Sequence, residues 1–233
     1  QSPTDIVFQG ETIKMPENMA TFQWSQMPES TLLSDGYVGW VQFFETPTQQ
    51  VQDRFKQHKI KLLEYIPHRT YLAFFPKNTN IGMLRNNGVR SIVPVPANAK
   101  ISNALKNPPY DAYAMDGSNI LVTLQFHKNV SPDYVIQQLA EKQIAVKQQY
   151  KGSNNIDLSI PDNCLEELVN QPFVKWVELI VAPSTPDDTR GRSLHRSSNL
   201  DTQTSAGRNY TGLDIGVLCR DDGIVGPHID FQG

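Results

Sequence analysis

Asp221-Asp222-Gly223 closes the short run Ile215-Gly-Val-Leu-Cys-Arg220, and His228-Ile-Asp-Phe231 follows it. Carboxylates so placed can orient and charge-stabilise an imidazole, because an apolar run that carries an acid and then a glycine to a strand's carboxyl end is where open α/β sheets place catalytic groups. The alternative is that Asp-Asp-Gly is only a turn, to which those residue types are equally suited. Cys219 offers a thiol. Core packing is one reading of it and a catalytic nucleophile the sharper one, although its neighbourhood supplies only Arg220 and the distant His228 as basic partners. His228 and Asp230 amount to two ligands, short of a metal's full shell.

The pattern acid-x-Gly-hydrophobic, then His-x-Asp-hydrophobic, resembles the aspartate block of the subtilisin-like serine proteases, the subtilases. Asn209-Tyr-Thr-Gly212 resembles the surface segment leading into that strand, so the likeness covers about residues 205 to 233. The resemblance implies that Asp221 is the buried aspartate that orients the catalytic histidine. Asp222 stands where the family has Ser or Thr and is the alternative for that role, and Cys219 and Arg220 depart from a small or apolar run. It assigns His228 to a surface position and Asp230 to one that binds calcium in several relatives. Calcium at Asp230 is therefore the metal it admits, and it requires no other cofactor.

The remaining machinery is not in these 233 residues. None of His58, His68, His127, His195 and His228 is followed by glycine, and no Gly-Thr-Ser-x-Ala block occurs. A triad acts as a unit, so this polypeptide alone should not hydrolyse peptides.

The elements preceding the aspartate block contain a duplication. Val38, Trp40, Val51, Phe55, Ile60, Leu72, Phe74, Ile81, Leu84, Ile92 and Val93 have apolar counterparts 84 residues on, from Val122 and Leu124 through Val135 and Leu139 to Trp176 and Val177. Such a period, longer than a solenoid repeat, predicts two tandem domains.

Each copy reads alike. Alternating β-branched and aromatic residues predict strands at Tyr37 to Glu45 and Asn119 to Lys128. Thr46-Pro47 and Ser131-Pro132 then supply helix N-caps with proline at the first position, with Gln49 completing a capping box to Thr46. Val51 with Phe55, and Val135 with Leu139, make buried stripes. Strands follow at Lys61 to Ile66, Tyr71 to Phe75, Ala145 to Tyr150 and Asn155 to Ile160. Asn78 and Asp162 are expected to cap short second helices, Gly88 to end the first of them, and Val89 to Val95 and Phe173 to Val181 to close the units as strands.

The predicted fold is therefore α+β: two tandem ferredoxin-like βαββαβ domains, a linker, and the first strand of an α/β catalytic domain, from Asp214 to Cys219. The expected boundaries are 1–36 for an extension, 37–105 and 118–183 for the two domains, 184–212 for a linker with the maturation cut, and 213–233 for the start of the catalytic domain. This is also the architecture of the subtilase propeptide. The resemblance thus implies a folding chaperone and inhibitor whose tail, Leu179 to Thr185, lies in the substrate cleft as an added strand. The cut is expected between Ala182 and Arg196, in a stretch rich in Pro, Ser, Thr, Asp and Arg.

A formal net charge of −3 leaves no footprint for nucleic acid, and no apolar run spans a bilayer. Gln1 in place of methionine fits a secreted or cell-surface protein whose signal peptide has been removed. Cys164 and Cys219 fall in different domains, which fits core packing better than a disulfide framework. The partners expected are the rest of the catalytic domain and protein or peptide substrates. The alternative functions are a stand-alone inhibitory module and an inactive adaptor. Residues 1–36 carry no functional expectation beyond packing of Phe22, Trp24 and Met27 on the first unit.

Overall fold

The computed structural model of the chain describes residues 4–8, 11–183, 200, 202–208, 210–214 and 216. The backbone divides into two units, residues 1–182 and 183–233.

In the first unit a short antiparallel hairpin, β1 (Ile6–Phe8) and β2 (Glu11–Ile13), precedes two antiparallel sheets. The first sheet comprises β3 (Gly36–Phe43), α1 (Gln49–Gln57), β4 (Lys61–Ile66), β5 (Thr70–Pro76), α2 (Ile81–Asn86) and β6 (Val89–Val93), with strand order β4-β5-β3-β6. After a two-residue strand β7 (Met115–Asp116), the second comprises β8 (Asn119–Phe126), α3 (Pro132–Glu141), β9 (Ala145–Gln149), β10 (Asn155–Pro161), α4 (Leu165–Val169) and β11 (Val174–Leu179). Its order is β9-β10-β8-β11, so in each sheet the first and third strands are central. The architecture is α+β, with helices packed on antiparallel sheets.

The helical landmarks keep the 84-residue spacing. Phe55 and Leu139 are both buried, and each accepts a bond across the helix end, from Ile60 N at 2.9 Å and from Ile144 N at 3.0 Å. The strands do not keep it. In the first sheet Val41, Phe43, Ala73 and Phe75 share a core with Phe55 and Leu84, whereas Val38, Trp40, Leu72 and Phe74 lie in another cluster. In the second sheet it is Ile120, Val122, Leu124, Phe126, Ile156 and Leu158 that share a core with Val135 and Leu139. Val41, paired with Ile92, therefore corresponds to Leu124, paired with Val177. The apolar strand pairs matched at 84 sit on opposite faces. A one-residue slip exchanges the faces of a strand, and the slip is invisible in sequence because β3 is buried on both.

Three caps also differ from expectation. Helix α1 starts two residues later than Thr46-Pro47 predicts: Thr48 is the N-cap, its Oγ1 accepting from Val51 N at 3.4 Å, and Gln49 bonds Asp53 instead of closing a capping box. Asn80, not Asn78, caps α2, with Oδ1 accepting from Met83 N at 3.0 Å. Asp162 opens a 3-10 turn leading into α4 and makes no cap. Ser131 precedes Pro132 at the start of α3 as expected, although its side chain accepts no capping bond. Gly88 follows α2 with φ 78°.

Residues 15–33 dress the first sheet. Phe22 and Met27 are buried in the core under α1 and α2, where Trp24 stacks on Tyr37 with ring centroids 5.0 Å apart. Gly39 makes room for them: a Cβ there would come within 3.0 Å of Met27 Cε and 2.8 Å of Val93 O. Along the β6 edge, Asn18 substitutes for a neighbouring strand, its Nδ2 donating to Ile92 O at 2.7 Å and its Oδ1 accepting from Ile92 N at 3.1 Å.

In the second unit, Tyr210 N donates to Leu200 O at 2.7 Å. Asp214 lies in a turn with φ 63°, and the strand expected from Asp214 to Cys219 otherwise lies, apart from Gly216, outside the described residues.

Candidate functional site

Asp221, Asp222, Cys219, His228 and Asp230 lie outside the described residues, as does the expected cut region from 184 to 196. Cys164, expected in the core, is a half-exposed free thiol whose Sγ lies 3.7 Å from Asn163 Oδ1. It ends the 3-10 turn before α4 and so misses that helix's buried stripe of Leu168 and Val169. Among the described residues no group of three or more His, Cys, Asp or Glu side chains is placed to hold a metal, and no helix is long and apolar enough to cross a membrane.

The second sheet has its helices on one face and carries a polar network on the other. Thr123 Oγ1 donates to Asp157 Oδ1 at 2.7 Å, Tyr150 OH to Asp157 Oδ2 at 2.7 Å, and Gln125 Nε2 to Asn155 Oδ1 at 3.2 Å. At one end Lys147 pairs with Asp116 at 2.7 Å, which holds that carboxyl below its usual range; at the other, Trp176 Nε1 donates to Glu178 at 3.0 Å. Strand β9 is exposed along its whole length. The opposite edge, β11, is covered by Ile101 and by Ser102, whose N donates to Val177 O at 2.9 Å. The chain leaves this edge with Ile180 N donating to Leu121 O at 3.2 Å and Val181 85% exposed. A polar face beside an exposed tail is suited to docking on another protein surface.

A concave site of about 340 Å³ adjoins this face and shares Gln125 and Trp176 with it. Its wall from the first sheet is Trp40 and Leu72, with Glu64 and Ile66 from β4; the second sheet contributes Gln125, Lys175 and Trp176. Phe8 of the hairpin spans them, 6.2 Å from the Trp40 ring and 6.5 Å from the Trp176 ring, edge-on to both. Lys175 Nζ pairs with Glu64 across the two sheets. Lys100 and His127, respectively 6% and 3% exposed, also line the site. Lys100 Nζ donates to Val169 O at 3.2 Å, and burial lowers its pKa to about 8. His127 Nδ1 is sealed from solvent without a hydrogen-bond partner. Burial first, then the positive Lys100 and Lys175, hold the imidazole neutral with a pKa of about 3.

Sequence reasoning did not find this site. Its polar members come from β4, a 3-10 turn, the end of β8 and β11, separated by up to 111 residues, and none belongs to a motif. The only local signal is that Gln125 falls on the side of β8 away from its apolar row, with His127 just beyond the strand.

Residues 7–96 match the family model described as Domain of unknown function (DUF8729). The match spans the hairpin, the dressing segment and the first sheet, and leaves out the second. No curated protein and no solved structure matches the chain.

Proposed function

We propose that the chain is the prosegment and catalytic-aspartate segment of a secreted or cell-surface subtilisin-like serine endopeptidase. On this reading the two βαββαβ units are tandem ferredoxin-like propeptide domains. The observation that carries it is the succession of two sheets with the same strand order, β4-β5-β3-β6 and β9-β10-β8-β11, by the aspartate block at Asp221. Such a sheet alone would say little, since one fold serves many functions; its position before that block supplies the argument.

The second sheet is then the inhibitory one. Its polar outer face docks on the catalytic domain, and the tail from Leu179 runs into the substrate cleft as an added strand, main-chain bonds giving affinity and alternate side chains specificity. The exposure of Val181 supports this use. Asp221 orients the histidine supplied by the rest of the catalytic domain, with Asp222 the alternative, and the substrates are proteins or peptides. No cofactor takes part in the chemistry, and calcium at Asp230 would be structural.

A second reading, an inhibitory module acting in trans, draws on the continuity of the core. The outer face of the first sheet and the whole core of the second form one hydrophobic cluster, so residues 4–182 have the packing of a body that folds by itself.

The test is intact mass of the natural protein under denaturing conditions after treatment with a fluorophosphonate, which labels activated serines. An adduct on a chain that contains or continues residues 213–233 is expected. A chain with no labelled serine, itself or in its associated fragments, removes the enzyme and leaves the inhibitory module or an adaptor.

A further inference from the structure

We propose that the cleft between the two sheets binds an amphipathic monocarboxylate, its apolar body lying between Trp40 and Trp176 and its carboxylate at Lys100 and His127. The walls are aromatic and aliphatic with a few polar groups among them, the kind of lining that fixes a ligand's orientation. Lys100 and Lys175 are positive and Glu64 negative, so with His127 neutral the lining carries one net positive charge. Lys175 and Glu64 satisfy each other; Lys100 has one carbonyl acceptor for three N–H donors. A buried ammonium so poorly matched, beside an imidazole nitrogen without a partner, is costly unless an acceptor fills the gap. A carboxylate supplies it, accepting from Lys100 Nζ and from His127 with the ring proton on Nδ1. The volume, about 340 Å³, holds a body on the order of ten heavy atoms at roughly 30 Å³ each. This inference uses only residues 8–176 and does not depend on the protease reading.

Two sources carry this chemistry: a free aliphatic or aromatic acid, and the apolar C-terminal residue of a peptide. The 233-residue chain is titrated with decanoate and with N-acetyl-Ala-Ala-Phe, each alongside its carboxamide, and followed by tryptophan fluorescence and calorimetry. A carboxylate should bind with Kd on the order of 0.1–1 mM and its amide at least about tenfold more weakly. Saturation by decanoate alone assigns the free acid, and saturation by the peptide alone the peptide terminus. Lys100→Met, which keeps the stem, should lose about tenfold in affinity with its thermal midpoint and circular dichroism preserved. Glu64→Gln, which removes the competing anion at a half-exposed position, should tighten binding a few-fold. Equal binding of acid and amide, unchanged binding in a folded Lys100→Met, or no saturable signal up to about 10 mM would overturn the proposal.

Discussion

Lys59 and Gln143 occupy the same left-handed backbone position at the ends of α1 and α3, with φ of 59° and 57°. In each helix the residue itself donates to the carbonyl three back, at 3.0 Å, and the next residue, Ile60 or Ile144, donates to the carbonyl five back. This is a Schellman ending, with the isoleucine seated against Phe55 or Leu139. Both left-handed residues are exposed and neither is glycine.

Replacing either by glycine should therefore stabilise the fold, by about 0.5–1 kcal/mol each. The two changes lie in different helices and should add. Urea unfolding midpoints of Lys59→Gly, Gln143→Gly and the double variant check this.

Adjacent strand residues should respond differently in the two sheets. Trp40→Ala and Val41→Ala both empty packed space, because β3 is buried on both faces; about 3–5 kcal/mol is expected for the first and about 1–3 for the second. In β8 only one face is core, so Leu124→Ala should cost about 2–5 kcal/mol and Gln125→Ala no more than about 1. Chemical unfolding of the four variants would show the slip between the sheets as a change of pattern.

His127 sets a pH dependence. Its imidazole is buried and neutral with a pKa of about 3, facing Lys100 and Lys175, whereas an unfolded histidine titrates near 6.5. The unfolded state then holds more protons between pH 6.5 and 3, so this contribution is complete above 6.5 and is lost as pH falls towards 3. Stability should fall by about 1.4 kcal/mol per pH unit over the middle of that window. His127→Leu should remove this slope from unfolding measured at pH 4 to 6 while leaving the carboxylate contributions in place. Lys100, lowered to about 8, adds a further rise in stability between pH 8 and 10.5, where only the unfolded state keeps the proton.

Asn18 holds Ile92 by both its amide and its carbonyl at the edge of the first sheet. Asn18→Ala leaves both main-chain groups without these partners and should cost about 1–3 kcal/mol. Hydrogen exchange at the Ile92 amide should accelerate by about tenfold or more, beyond the change at central-strand amides such as Val41.

Within the longer polypeptide that the proposed function requires, Asp221→Asn should lower peptide hydrolysis and self-processing by about 10⁴-fold, with expression maintained. Asp222→Asn should leave both within a few-fold. The reverse ranking moves the triad position to Asp222.

The sequence by itself determined the order of elements: strand alternation, four-residue helical spacing and turn glycines such as Gly88 are local, and they placed β4 and β9 to within a residue. It also set the correspondence of Phe55 with Leu139. What it did not determine was which side of β3 and β5 faces the helices. Alternation vanishes when both faces are buried, and only packing against α1 on one side and the shared cluster on the other separates Val41 from Trp40. The caps at Thr48 and Asn80 were displaced because Thr46 and Asn78 are as good capping types as those two, and the chain's path chose between them. The cleft was decided by tertiary structure alone. Phe8, Glu64, Lys100 and His127 carry no periodicity or motif, and they meet Trp176 only because the two sheets are packed on one core.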